Sequence, residues 1–310
     1  MHTPEPTRTP EPMGTPEPTH PHDADRLARI RRTVGRLLDE DAHRGMSETL
    51  RESLADRIYR TVHAVPGRRG DVFASDRVAY AAMVAEAERR LGDLTHDRTG
   101  FTLVSRDAGR TVVSCPDGVD VALDERHVRI SAAGDVTVTA SGLSTQVGAR
   151  WVYWTPPQSG DAMDARVYLH ARPDDALDAW SGAVRTLHGA GIEFAAKVGG
   201  SAAMLDRTDC VVLYCAADDL ARVASAAAAN CADPVESVPG FSVALYAGVG
   251  VALTPEADTG AVAMSIGYYW ARTLVEAWDA NGTPGLDAVL TRLARSWERT
   301  RRQLRVPEAV

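Results

Sequence analysis

The sequence has almost no lysine. Of its 34 basic residues only Lys197 is a lysine, and the other 33 are arginines. Arginine keeps its charge at any physiological pH, whereas a lysine amine can lose its proton when burial or nearby cations lower its pKa. Lys197 is therefore a candidate for proton transfer. The alternative is a lysine at the end of a strand, whose stem packs on apolar surface while its amine stays in water.

Other absences exclude whole classes of protein. No apolar run approaches the ~20 residues of a membrane helix, and the first residues lack the basic and apolar regions of a secretory signal. We therefore expect a cytoplasmic protein with no membrane partner. A net charge of −8 without a basic arm disfavours binding to nucleic acid.

Recognisable metal and cofactor motifs are also missing. The four cysteines form no C-x-x-C pair and have no histidine at zinc spacing, so we predict reduced thiols and no metal site. The phosphate-binding glycine loops, H-E-x-x-H and G-x-S-x-G do not occur. We accordingly expect no cofactor.

Three regions with different periodicity follow one another along the chain. Residues 1–22 contain three Thr-Pro-Glu-Pro repeats, and this density of proline predicts an extended, disordered tail that serves as a spacer or as a docking segment. Residues 23–95 have apolar side chains at helical spacing and predict a helical N-terminal region. Residues 96–310 begin with short alternating strands and continue with alternating strands and helices. They predict an α+β domain with a mostly antiparallel sheet and flanking helices.

Polar residues interrupt two of the predicted apolar strands. In the strand predicted at 165–171, alternation places Arg166, Tyr168 and His170 on one face, which is either solvent-exposed or able to present a guanidinium and a phenol to one ligand. Lys197 follows directly after an apolar run, near the end of the second of these strands. Partial desolvation at that position would lower the proton affinity of its amine.

Two further arginines are candidates for anion binding. Arg207 lies between Asp206 and Asp209, directly before an apolar strand, and is either a loop ion pair or a guanidinium held rigid to grip phosphate. Arg272 lies near the beginning of a helix that is predicted to follow Ser265, where helix N-termini and arginine both favour phosphate.

The order and spacing of these segments resemble the HopA1 family. Its actinobacterial members are similar to the phosphoserine/phosphothreonine lyases of class V lanthipeptide and thioamitide biosynthesis. Within the resemblance, the pattern Lys-x(9)-Arg-x-Asp-x(4)-Tyr is the most specific part, and Ile266 departs from the phenylalanine expected there. The matching segments are Ala165–Leu169, Glu193–Val198, Asp206–Tyr214, Gly248–Ala252 with Pro255, and Ser265–Gly267 with Arg272.

The resemblance implies a reaction and its partners. The substrate would be a ribosomally made precursor peptide that a separate Ser/Thr kinase has phosphorylated, and elimination of phosphate would leave dehydroalanine or dehydrobutyrine. A cyclase subunit is a further implied partner. Two alternatives stay open: a non-catalytic HopA1-like subunit that binds peptide or acts as a scaffold, and a secreted effector, which the lack of an export feature disfavours.

The resemblance also implies roles for individual residues. Lys197 would be the base that removes the Cα proton, and Tyr168 the general acid, with His170 as the second candidate. Asp209 would orient Arg207 or Lys197. The implied phosphate-binding side chains are three arginines and one tyrosine: Arg166, Arg207, Arg272 and Tyr214.

Overall fold

The computed structural model describes most of the chain, namely residues 23–41, 45–65, 77–107, 109–115, 118–144, 150–155, 163–255 and 265–304. The tail predicted at 1–22 lies outside these residues.

Helices occupy the predicted N-terminal region and alternate with strands in the second half of the chain. The second helix begins after Ser47, whose hydroxyl accepts a hydrogen bond from the backbone N–H of Leu50 at 3.3 Å, as expected of an N-cap. The α-helices among the described residues are α1 (Asp23–Asp41), α2 (Glu48–Ile58), α3 (Arg77–Leu91), α4 (Ala176–Gly189), α5 (Ala202–Leu205), α6 (Leu220–Ala229), α7 (Ile266–Asn281) and α8 (Thr283–Leu304).

A π-helical turn at Tyr59–His63 continues α2, and it is closed by a hydrogen bond of 2.9 Å from the Ala64 N–H to the Tyr59 carbonyl. The strands are β1 (Thr95–Asp107), β2 (Arg110–Ser114), β3 (Asp120–Asp124), β4 (Val128–Ile130), β5 (Val136–Ser141), β6 (Leu143–Ser144), β7 (Trp151–Trp154), β8 (Ala165–Leu169), β9 (Phe194–Gly199), β10 (Val211–Cys215), β11 (Val243–Tyr246) and β12 (Val249–Leu253).

The strands form two antiparallel sheets, which confirms the predicted α+β class. The first has the order β3-β2-β1-β5-β4 and encloses a small core around Val113, Val136 and Val138. The second has the order β11-β12-β8-β10-β9-β7-β6 and carries all the strand residues that the sequence singles out. The chain reverses between β11 and β12 at Gly248, whose φ of +68° suits glycine.

The two faces of the second sheet differ in chemistry. One register row aligns Trp154, Ala196, Leu213 and Val167, all buried, and the Trp154 ring meets the ring of His188 in α4 edge-on at 5.8 Å. This apolar face packs against the helices that follow β8 and β10. The alternate residues, including Arg166 and Tyr168, necessarily lie on the opposite face.

Candidate functional site

Strand register brings the predicted catalytic residues together. Tyr168 on β8 pairs with Val212 on β10, Val212 pairs with Lys197 on β9, and Lys197 pairs with Tyr153 on β7. The neighbouring row aligns Arg166 with Tyr214. Because residues two apart share a face, Arg166, Tyr168, Tyr214 and Lys197 lie on one surface of the sheet.

Aromatic rings hold the amine of Lys197. Its Nζ lies 4.4 Å from the centre of the Trp151 ring and 5.6 Å from the centre of the Tyr214 ring, within the range of cation–π attraction. Lys197 is half-buried and makes no hydrogen bond or ion pair with any residue that the structure describes. The amine therefore packs against aromatic rings and has no carboxylate ion-pair partner among the described residues.

Arg166 approaches the same tyrosine ring. Its guanidinium carbon lies 5.3 Å from the centre of the Tyr214 ring, and its Nη1 donates a hydrogen bond to the Thr254 hydroxyl at 3.2 Å. Arg166 is only 4% exposed, so its position is set by the surrounding protein. Two cations thus flank Tyr214, one buried and one half-buried.

Arg207 and Asp209 form a buried ion pair beneath this surface. Arg207 donates from Nε and Nη2 to the two carboxylate oxygens of Asp209, at 2.7 and 2.8 Å. Burial favours the neutral acid, but the guanidinium outweighs it and holds the pKa of Asp209 below its usual value. Of the two partners predicted for Asp209, the structure selects Arg207.

Tyr59 completes this pair and was missed by sequence reasoning. Its hydroxyl accepts from Arg207 Nη2 at 2.6 Å and donates to Asp209 Oδ2 at 3.0 Å. Burial and the nearby Asp209 carboxylate raise the pKa of Tyr59, so the phenol stays protonated and keeps its donor. The π-helical turn delivers Tyr59 from the N-terminal region, and the sequence gives no signal for such a turn.

His63, at the other end of the same turn, is the second residue that was missed. Its ring lies between Tyr168, edge-on at 5.1 Å, and Phe241, stacked at 5.8 Å. Burial lowers the pKa of His63 to about 4, so the imidazole is neutral at pH 7. The Nδ1 of His63 and the hydroxyl of Tyr168 are both buried and lack a hydrogen-bond partner in the part of the chain that the structure describes.

The packing of His63 predicts the effect of a glycine substitution in α7. A Cβ at Gly267 would overlap the His63 ring, whereas a Cβ at Gly35 in α1 would meet no atom within 4 Å. We expect Gly267→Ala to destabilise the protein by about 1–3 kcal/mol because of overpacking. The control Gly35→Ala should stabilise it by up to about 1 kcal/mol, because alanine is the better helix former. Urea unfolding measures both, and equal effects of the two substitutions would contradict this placement of His63.

The lowered pKa of His63 predicts acid sensitivity. Between pH 6.5 and about 4 the unfolded chain protonates this histidine and the folded chain does not, so stability falls as the pH falls. The loss should reach about 3 kcal/mol near pH 4. We expect His63→Gln to remove that part of the pH dependence in urea unfolding, and the same substitution at the exposed His127 to leave it intact. Parallel pH profiles for wild type and His63→Gln would refute the assignment.

Two candidates from the sequence lie outside the cluster. Arg272 on α7 is an exposed residue that pairs with Glu276 at 2.7 Å and Glu48 at 3.0 Å, and it contacts none of the cluster side chains among the described residues. His170 shares the sheet face of Tyr168, but its Nδ1 lies 2.9 Å from the Ser237 hydroxyl and 3.0 Å from the Ser237 carbonyl. The structure therefore brings together Lys197, Tyr168, Arg166, Tyr214, Arg207 and Asp209, and places Arg272 elsewhere.

No group of three or more His, Cys, Asp or Glu side chains in the described part of the chain is arranged to hold a metal ion. None of the described helices combines the length and the apolar character that a membrane span requires.

One protein-family model matches the part of the chain that carries most of the second sheet. Residues 152–300, just under half of the chain, match the model of the HopA1 effector protein family. This segment begins in β7 and includes every residue of the cluster except Trp151 and the two from the π-helical turn. No curated protein matches the chain.

Two solved effector structures from Pseudomonas syringae align over most of the chain. The effector from pv. syringae strain 61 is 12% identical with a TM-score of 0.48, and the alignment covers 88% of this chain and 94% of that one. The effector from pv. tomato strain DC3000 is 14% identical with a TM-score of 0.41, covering 87% and 93%.

Proposed function

We propose that this protein is a phosphoserine/phosphothreonine lyase that eliminates phosphate from a phosphorylated precursor peptide. The observation that carries the proposal is the single lysine amine of the chain, held against Trp151 and Tyr214 beside two buried arginines. Such a site combines a proton acceptor with positive charge for a phosphate dianion. The proposed products are dehydroalanine from phosphoserine and dehydrobutyrine from phosphothreonine.

The reaction needs a base, positively charged or polar groups that bind the phosphate, and a proton donor. The amine of Lys197 would take the Cα proton, the electrons of that C–H bond would form the Cα=Cβ double bond, and the Cβ–O bond would break. Phosphate leaves with the bonding electrons and takes up a proton. Arg166 and Tyr214, which lie beside Lys197 on the sheet, would hold the phosphate in this proposal.

Arg207 has a different role in this proposal from the one expected for it. Its Nε and Nη2 donate to Asp209 and Tyr59, and its Nη1 lies 3.5 Å from the sulfur of Met204. Because these donors already have partners, we assign Arg207 and Asp209 to positioning and to the electrostatic field rather than to direct phosphate contact. The Arg207 guanidinium lies 5.3 Å from the centre of the Trp151 ring, the same ring that holds Lys197.

Tyr168 is the proposed proton donor. Burial raises the pKa of its phenol, so the group is fully protonated at neutral pH and its unpartnered hydroxyl is able to donate to a leaving oxygen. Its ring is packed edge-on against His63, so His63 positions the donor. This arrangement fits a site in which the leaving phosphate lies across β8 and β10.

The test is to incubate the purified protein with a synthetic phosphothreonine peptide, without kinase and without ATP. The proposal predicts release of inorganic phosphate and a product lighter by one phosphoric acid in mass spectrometry. The unphosphorylated peptide is the matched control and should not change. If the protein is folded and the synthetic peptide has the sequence of its precursor, a phosphopeptide of unchanged mass would contradict the proposal.

A second candidate function is a non-catalytic subunit that binds the peptide or acts as a scaffold for a separate kinase and cyclase. The observation that favours it is the Arg207–Asp209–Tyr59 network, which is saturated by internal hydrogen bonds in the manner of a structural ion pair. It predicts binding of the phosphopeptide without release of phosphate, so the same incubation distinguishes the two functions.

A further inference from the structure

A concave surface adjoins the π-helical turn that carries Tyr59 and His63 but is lined by other residues. It is a groove of about 580 Å³ between α1, the π-helical turn and residues 236–244. Its walls are formed by apolar side chains such as Ile30, Val62 and Val238, and its charged lining residues are two arginines along α1, Arg26 and Arg29, and one exposed carboxylate, Glu236. None of the residues proposed for catalysis lines this groove.

Arg26 is a buried cation with an unused hydrogen-bond donor. It is 8% exposed, its guanidinium carbon lies 5.0 Å from the centre of the Trp297 ring, and its Nη2 donates to the Pro239 carbonyl at 3.1 Å. Its Nη1 is buried without an acceptor among the described residues. Burial lowers the pKa of Arg26 to about 10, so the group is still charged at neutral pH.

No ion pair joins Arg26 to a carboxylate among the described residues. Asp23 attracts Arg26, but its Oδ2 is engaged in an ion pair with Arg301, and Arg29 and Arg301 add positive charge at the same place. A buried guanidinium donor without an acceptor is unfavourable by about 1–3 kcal/mol or more. The groove is therefore suited to a ligand that brings a carboxylate on an otherwise apolar, extended backbone.

We propose that this groove is the docking site for the chain's own N-terminal segment, through a glutamate of its Thr-Pro-Glu-Pro repeats. Each repeat offers one carboxylate between two prolines, and proline has no backbone N–H that would require a partner on an apolar wall. Three repeats supply three equivalent ligands to one site, which raises the effective concentration of carboxylate.

The chain length allows this docking. Glu17 precedes Asp23, where α1 begins, by six positions, which span up to ~20 Å when extended. Arg26 lies in the first turn of α1, about 5 Å further along the helix axis. The segment can therefore turn back onto the groove without any change in the described structure. This inference does not depend on the proposed lyase activity.

The test uses the full chain and hydrogen exchange of residues 236–244. The amides of Gly240 and Ser242 are hydrogen-bonded to Val62 and Pro239, so they report on the wall of the groove. Replacing the three repeat glutamates together (Glu5→Gln, Glu11→Gln and Glu17→Gln) should reduce protection about tenfold, the equivalent of one charged hydrogen bond. The matched control, in which Thr3, Thr9 and Thr15 become serine, should leave protection unchanged.

A second variant tests the same contact without changing the buried Arg26. Arg29→Glu, at the exposed rim of the groove, should reduce protection as the glutamine variant does, because it replaces positive charge beside the docked glutamate with negative charge. Equal exchange in wild type and in the glutamine variant would overturn the proposal. Protection that appears only after addition of an acidic peptide from another protein would also overturn it, since the occupant would then be a partner and not the tail.

Discussion

Lys197→Arg should reduce the elimination of phosphate by about 10²–10⁴-fold and leave stability nearly unchanged. Arginine keeps the positive charge and the contact with the rings of Trp151 and Tyr214, but a guanidinium does not release its proton at physiological pH. The substitution thus separates the charge of the residue from its ability to act as a base. Phosphate release from a phosphothreonine peptide measures the first effect, and urea unfolding measures the second.

The control for this prediction is the reverse exchange, arginine to lysine, at a surface position. Arg222→Lys, on α6, alters a half-exposed residue that pairs with Asp219 at 2.9 Å and should leave the rate of elimination unchanged. If Lys197→Arg retains most of the wild-type activity, the amine is not the base. Loss of activity together with loss of folding would instead assign Lys197 to the packing of the sheet.

Asp209→Ala should destabilise the protein by about 3–5 kcal/mol, because it leaves the Arg207 guanidinium buried without its counter-ion. Arg207 and Asp209 are 1% and 3% exposed, so water cannot replace the lost carboxylate without rearrangement. Urea unfolding at pH 7 measures the change. A cost below about 1 kcal/mol, the range of a surface ion pair, would show that this pair is solvated.

The matched variant removes the whole network instead of breaking it. In the triple variant Tyr59→Phe, Arg207→Met and Asp209→Leu, all three polar partners become apolar groups of similar size. Since a replaced buried ion pair is much less unfavourable than a broken one, the triple variant should recover most of the stability that Asp209→Ala loses. Its lyase activity should stay low, because the positive charge that Arg207 places near Lys197 is lost. A triple variant as unstable as Asp209→Ala would contradict this account.

Alternation in the sequence was sufficient to predict part of the site. It placed Arg166 and Tyr168 on one strand face because side chains two apart always share a face. It could not predict that β10 lies between β8 and β9, since pairing order depends on long-range contacts. That order is what brings Tyr214 between Arg166 and Lys197.

The residues that sequence reasoning missed share a physical cause. Tyr59 and His63 reach the sheet because the backbone widens into a π-helical turn after α2, and a 3.6-residue period gives no indication of such a turn. Arg272 is the reverse case, a residue that was predicted for the site but lies outside it. Its position near the beginning of a helix was predicted, but periodicity does not reveal that Glu48 from another helix pairs with it.

The central claim is that Lys197 removes the Cα proton of a phosphorylated residue. The most direct measurement is the rate of phosphate release from a phosphothreonine peptide that carries deuterium at Cα, compared with the same peptide carrying hydrogen. The account predicts slower release from the deuterated peptide and a dehydrated product without deuterium, both absent with Lys197→Arg. Phosphate release that leaves the deuterium in the product would contradict it, because the bond to Cα would then not have been broken.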